Sequence, residues 1–260
     1  MRSADGCKAT ILYTIFNFIC QEGKSFFGAI AFYSIVPVPQ NWTSFDRIAR
    51  WVPLVGLLLG LFLGALDLGL ARLSMPVFTR SVLIVGVWVY LTGGLHLDGV
   101  SDTADGLAVT DPDRRLQVMS DSVTGAFGVM AVAMVLLLKI AALTDIGENR
   151  LLVYPMALVW GRWGQVMAIA LYPYLKPTGK GAFHKTQFRA PLDCFGGLLG
   201  FIGLGFGGWT GILSGVVGSS IALATGYWFD RRLGGHTGDT YGAVVEWTEA
   251  FFLCFLTIFL

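Results

Sequence analysis

The sequence predicts an all-α, polytopic integral membrane helical bundle, and three observations carry that prediction. Of its 260 residues 55% are hydrophobic and only 13% charged, about half the charge of a soluble domain of this size. The apolar residues fall in long runs (52–71, 81–97, 125–143 and 151–171), each near the roughly 20 residues a helix needs to cross about 30 Å of hydrocarbon. The runs lack the period-2 alternation of barrel strands, and only helices or closed barrels satisfy their backbone in lipid. The 34 glycines suit close helix approach.

Setting runs against interruptions gives about seven spans: 52–72, 80–97, 125–144, 151–172, 192–207, 210–229 and 244–260. A segment at 25–36, ended by Pro37 and Pro39, is too short to cross alone. It is expected either as a short interfacial or re-entrant helix, or joined to 9–24 in a broken span. Residues 1–25 form an N-terminal extension and 26–260 a single membrane-embedded domain; no cleavage motif follows the first apolar stretch.

Alternating sides along these spans puts loops 37–51, 98–124, 173–191 and 230–243 on one face. They hold ten basic residues, against Arg150 with flanking Arg72 and Arg80 on the other. Basic loops stay inside, so a multi-pass protein of the inner (plasma) membrane with those loops cytoplasmic is expected. The net charge of +1 points to no nucleic acid partner. The four scattered cysteines show no metal or redox spacing, and a homo-oligomer stays open.

Acids crowd the same face, which the basic-residue rule does not explain. In 93–106, GGLHLDGVSDTADG, Asp98, Asp102 and Asp105 recur at i, i+4 and i+7, within about 60° of one another on a helix. Such a trio repels itself unless a cation intervenes, and hard oxygen ligands favour Mg²⁺, with Mn²⁺ as the alternative. The structural alternative is a helix end whose acids merely face water. In 234–249, GGHTGDTYGAVVEWTE, Asp239, Glu246 and Glu249 again approach one face. Thr237 and Asp239 are candidate helix caps, and Glu246 and Glu249 fall within an apolar run, where acids are costly.

Basic groups complete the pattern. Arg114 and Arg115 precede Asp121 and Ser122, which are read as opening the long helix that follows. Lys176 and Lys180 punctuate a glycine-rich loop, and Lys139 and Arg162 fall inside spans. Lysine and arginine beside metal ligands neutralise a diphosphate, although positive-inside charge explains each singly. His96 borders the acid motif as a packing or substrate-side residue. Acids, cations and one membrane face together predict transfer of a substituted phosphate, with the residues of the acid motifs as catalytic groups and one carboxylate taking a hydroxyl proton.

The 93–106 motif, with 32–39, 119–128 plus Lys139, 172–181 and 234–249, resembles the cobalamin synthase family of adenosylcobinamide-GDP ribazoletransferases, covering roughly residues 26–260 in order. The resemblance implies a Mg²⁺-dependent membrane enzyme of the last steps of cobalamin assembly. In that reaction α-ribazole, or its 5′-phosphate, attacks adenosylcobinamide-GDP and GMP leaves. It carries over Asp98, Asp102, Asp105, Asp239 and Glu246 as metal and catalytic residues. Ser120 and Val123 stand where the family commonly places arginines, leaving Arg114 or Arg115 as substitutes. The acid motif is loosely similar to that of CDP-alcohol phosphotransferases, an alternative reading. A cation transporter is a third, which predicts acids spread through the membrane depth.

Overall fold

The computed structural model describes residues 2–147, 150–176, 179, 181–195 and 209–259. Its helices, in chain order, are α1 (Arg2–Tyr33), α2 (Val52–Arg72), α3 (Val77–Leu91), α4 (Leu95–Ala108), α5 (Pro112–Val118), α6 (Ala126–Ile146), α7 (Val153–Leu171), α8 (Ala182–Gln187), α9 (Trp209–Leu233) and α10 (Gly238–Leu256). The molecule is an all-α membrane bundle. Three helical stretches, Ile48–Arg72, Ala126–Ile146 and Ile212–Leu233, are each long and apolar enough to cross a bilayer. The span expected over 192–207 lies mostly outside the described residues.

Helices α7 and α10 form the centre. Helix α7 packs on α2, α9 and α10, and α10 also meets α4 and α6. The first contact depends on the Gly56, Gly60 and Gly64 stripe of α2: a Cβ on Gly60 would stand 2.6 Å from the Pro155 nitrogen. Small residues at i, i+4 and i+8 let two backbones touch, which is where packing energy comes from when lipid removes the hydrophobic drive. Tyr154, Ala157, Leu158 and Val159 are fully buried behind that seam.

Two expectations are corrected here. Residues 25–33 do join 9–24, as one alternative expected, but without a break: they end the continuous helix α1, which stops at Tyr33 before Pro37. The span over 80–97 does not run through. Gly93 and Gly94 adopt φ of +62° and +69°, a left-handed turn that glycine enters without steric cost, and α4 leaves α3 at 90°. Helices α3 and α4 therefore form a bent pair, a broken span or a re-entrant turn, in place of one straight span.

At the opposite end from α4, Asp67 on α2 is 3% exposed and pairs with both Arg80 and Arg150. Arg150 also donates to Ser81 Oγ at 2.6 Å and to the Leu143 carbonyl at 2.9 Å. Two of the three basic residues at that face are thus consumed internally, which deepens the charge asymmetry between the faces.

Candidate active site

The close approach of α4 and α10 builds the site. Gly99 lies so near the start of α10 that a Cβ would stand 3.1 Å from the Asp239 carbonyl carbon, and one on Gly242 would stand 3.0 Å from the His96 Cα. Only hydrogen fits at these crossings, so the α4 carboxylates and Asp239 are held side by side by backbone. Helix α10 opens on a capping box: Thr237 Oγ1 accepts from the Thr240 amide at 3.3 Å, and Thr240 Oγ1 accepts from the Thr237 amide at 2.8 Å. Of the two candidate caps, Thr237 does the capping. Asp239 sits in the first turn, where a carboxylate is favoured by the helix dipole, and accepts from Thr237 Oγ1 at 3.2 Å.

Asp98 is exposed, and Asp102, Asp105 and Asp239 are half-buried. Partial burial, then the charges of Asp98 and Asp239, push the Asp102 carboxyl up to about 6, with Lys176 opposing and Asp105 adding to the rise. Like charges crowded this way signal a place for a cation. Lys176 Nζ supplies one, 3.0 Å from Asp239 Oδ2 and 3.5 Å from the Met119 carbonyl. Its loop is stitched to the strand-like turn before α10. The Leu175 amide donates to the His236 carbonyl and the His236 amide to the Pro173 carbonyl, each at 2.8 Å. Lys180 lies outside the described residues.

Asp105 has a second task. Its Oδ2 accepts from the Gly125 amide at 2.7 Å and its Oδ1 from the Gly128 amide at 2.8 Å, so it caps α6 from across the fold. This corrects the expectation that Asp121 and Ser122 open that helix. Gly125 is the N-cap, while Asp121 accepts from the Val123 amide at 3.1 Å in a local turn and Ser122 is exposed. A cap twenty residues away leaves no local sequence signal.

Glu246 and Glu249 stand apart from Asp239. Seven and ten residues along α10 place them about 10 and 15 Å deeper. There Lys139 donates to Glu246 at 2.6 Å and to Glu249 at 2.5 Å, and Arg162 pairs with Glu249. All four are at most 3% exposed. Two cations and two carboxylates balance, as burial requires, and Lys139 also lies 4.2 Å from the Trp88 ring centroid. Arg162 and Lys139 do pair with acids of the C-terminal motif. The pairing leaves Glu246 in the bundle interior and away from Asp98 and Asp102, contrary to its expected place among the metal-facing acids. His96 is 2% exposed, stacked beside Tyr33 at 6.2 Å, and faces this interior.

The arginines divide too. Arg114 is exposed. Arg115 uses Nε on the Val109 carbonyl at 3.1 Å and Nη1 on the Arg232 carbonyl at 2.9 Å, tying the end of α4 to the end of α9. Beside the acids a cavity of about 710 Å³ opens between the Gly93–Gly94 elbow and α6, with Asp98, Ser101 and Thr124 on its wall. The Ser101 hydroxyl is buried there without a hydrogen-bond partner.

Among the described residues no three His, Cys, Asp or Glu side chains stand close enough to hold a metal ion as placed. The donor chemistry nonetheless fits one: Asp98, Asp102 and Asp239 are oxygen donors, and among the described residues Lys176 opposes the charge they place on Asp102.

A membrane-embedded helical bundle with carboxylates and a lysine gathered at one end defines a class of integral membrane enzymes acting on charged substrates. Comparison with known proteins specifies it. The family model described as cobalamin-5-phosphate synthase matches residues 25–257, and the chain belongs to that family. Adenosylcobinamide-GDP ribazoletransferase of Trichormus variabilis is 56% identical over 88% of this chain and 95% of its own. The enzymes of that name from Synechocystis sp. and Thermosynechococcus vestitus are 52% and 47% identical, over 91% and 90% of this chain and 95% and 96% of theirs. No solved structure matches the chain.

Proposed function

We propose that this chain is an adenosylcobinamide-GDP ribazoletransferase of the inner membrane, with its acid-bearing face cytoplasmic. It joins adenosylcobinamide-GDP to α-ribazole or α-ribazole 5′-phosphate and releases GMP. The observation that carries this reading is the juxtaposition of Asp98 and Asp102 with Asp239 and Lys176 across the α4–α10 crossing, in a chain whose relatives at 47–56% identity bear that name.

In the reaction a ribose hydroxyl forms a bond to the phosphorus that carries cobinamide, and the bond from that phosphorus to the GMP oxygen breaks. The hydroxyl proton passes to a carboxylate, for which Asp98 is placed by its exposure beside the 710 Å³ cavity. That cavity suits the acceptor nucleoside, with apolar walls for its base and the Ser101 hydroxyl for its sugar. Lys176 neutralises the diphosphate once freed from Asp239. Asp98, Asp102 and Asp239 would hold Mg²⁺, or Mn²⁺ in its place, which would supply positive charge to the diphosphate. Asp105 fixes α6 against α4, and the Lys139–Glu246–Glu249–Arg162 set holds the depth of α10, so both act by positioning.

The test is GMP release by purified protein supplied with adenosylcobinamide-GDP, α-ribazole and Mg²⁺. Release that stops with EDTA and returns with Mg²⁺ is the expected result. Release no greater than that of the EDTA control sinks the proposal, and turnover with a lipid alcohol in place of α-ribazole moves it to the CDP-alcohol class.

A further inference from the structure

Helix α4 separates two cavities of opposite character. At 100° per residue Asp98, Asp102 and Asp105 share one side, while Val100, Thr103, Ala104 and Leu107 centre about 180° away. That second side backs a cavity of about 680 Å³, walled by Val100, Ala104 and Leu107 on α4, Trp228 on α9, and Trp247 and Phe251 on α10. Trp228 and Phe251 are also 48% and 45% exposed at its open side. They open it along α9, whose residues Ile212–Leu233 are apolar enough to cross a bilayer.

Its rim is charged in one sense. The last turn of α9 carries exposed Arg231 and Arg232, outnumbering Asp230 beside them. The Arg232 guanidinium lies 5.4 Å from the Trp228 ring centroid, directly above the aromatic wall. Among the residues lining the cavity the Thr103 hydroxyl is buried without a hydrogen-bond partner. Hydrocarbon below, a buried hydroxyl with no partner, and arginine above an indole at the end of a span match a single amphiphile with an anionic head.

We infer that this cavity binds an anionic phospholipid, with an acyl chain against Trp228, Trp247 and Phe251 and the phosphate at Arg231 and Arg232. The charged substrates of the acid side lack the hydrocarbon this wall selects, so the two cavities divide substrate from lipid. The occupant braces the back of α4, opposite the carboxylates.

The full chain, purified in detergent, is offered phosphatidylglycerol or phosphatidylcholine brominated on the acyl chain. Native mass spectrometry counts retained lipid, and tryptophan quenching reports contact with the indoles. Wild type should retain one phosphatidylglycerol, favoured about fivefold or more over phosphatidylcholine, the ratio expected of one basic residue beside an anionic lipid. Arg231→Gln/Arg232→Gln, at exposed positions that leave the fold untouched, should lose that preference and keep the acyl quenching. Ala224→Trp, which fills the cavity, should lose retention of both lipids. Equal retention of the two lipids by wild type overturns the inference. So does displacement of the lipid by free α-ribazole, or an Ala224→Trp variant that keeps its lipid, and so does one that only changes a dimer to a monomer.

Discussion

The Lys176 ammonium lies 3.0 Å from Asp239 Oδ2, and its charge opposes the rise that Asp98 and Asp239 impose on the Asp102 carboxyl. On the proposed function, a divalent cation at these carboxylates has to displace Lys176 from Asp239. Both side chains of the ion pair are about a quarter exposed (22% and 27%), so the competing interaction is worth about 1 kcal/mol. Lys176→Met should bind Mn²⁺ about fivefold more tightly at pH 8, read by electron paramagnetic resonance without substrate, while turnover falls because the diphosphate loses its cation. An unchanged Mn²⁺ affinity means Lys176 does not guard the site.

The interior ion set predicts a stability effect. Lys139→Met leaves Glu249 with Arg162 alone and Glu246 without its lysine, at 0% and 3% exposed. Removing one partner of a buried set costs about 3–5 kcal/mol, which lowers Tm in detergent by roughly 6 °C or more. Lys139→Met/Glu246→Gln restores the charge balance and should recover much of the loss. A single variant as stable as wild type contradicts the balance argument.

Two neighbouring acids should fail in different ways. Asp105→Ala removes both acceptors at the start of α6 and should cost about 1–2 kcal/mol of stability, whereas Asp121→Ala changes stability by less than about 0.5 kcal/mol. Asp102→Asn should abolish GMP release at unchanged Tm. Thermal melts and turnover measured on the same preparations separate these cases, and a stable, inactive Asp105→Ala would reverse the two roles.

Acid should weaken the fold through two histidines at the site face. Burial drives His184 and His236 down to about 4 from an ordinary 6.5. His236 holds Thr240 Oγ1 and the Gly226 carbonyl at 3.1 and 3.2 Å, and His184 meets the Tyr33 hydroxyl at 3.1 Å. Between those values the unfolded chain binds protons that the folded chain refuses. Stability is therefore whole above about pH 7 and is lost as pH falls from 6.5 toward 4, by up to about 3 kcal/mol per histidine. Melts from pH 7.5 to 4.5 should show the decline, and a His184→Gln/His236→Gln double variant a flatter one.

Much of the architecture was legible because lipid imposes a strict length and polarity rule. The boundaries of α2, α6 and α7 fall within two residues of the expected spans 52–72, 125–144 and 151–172. The failure at 80–97 has a simple cause: residues 91–97 are apolar enough to extend a span, and only the φ values of Gly93 and Gly94 reveal the elbow. Helical spacing correctly put Asp98, Asp102 and Asp105 on one side of a helix. Spacing along α10 misled, because Asp239, Glu246 and Glu249 share a face yet differ in depth, and depth decides whether a carboxylate meets substrate or a buried lysine. Nothing local to Asp105 announces that it serves the backbone of Gly125 and Gly128.

The crossing at Gly99 has a consequence for how the enzyme tolerates change. Most pockets absorb a new methyl group by letting a side chain swing aside, but here the neighbour is the carbonyl of Asp239 itself. Any added atom displaces a main chain, and with it the Asp239 carboxylate beside α4. The spacing of the charges is thus set by an atom that is missing. A library of variants would find position 99 as intolerant as the aspartates, though it carries no side chain of its own.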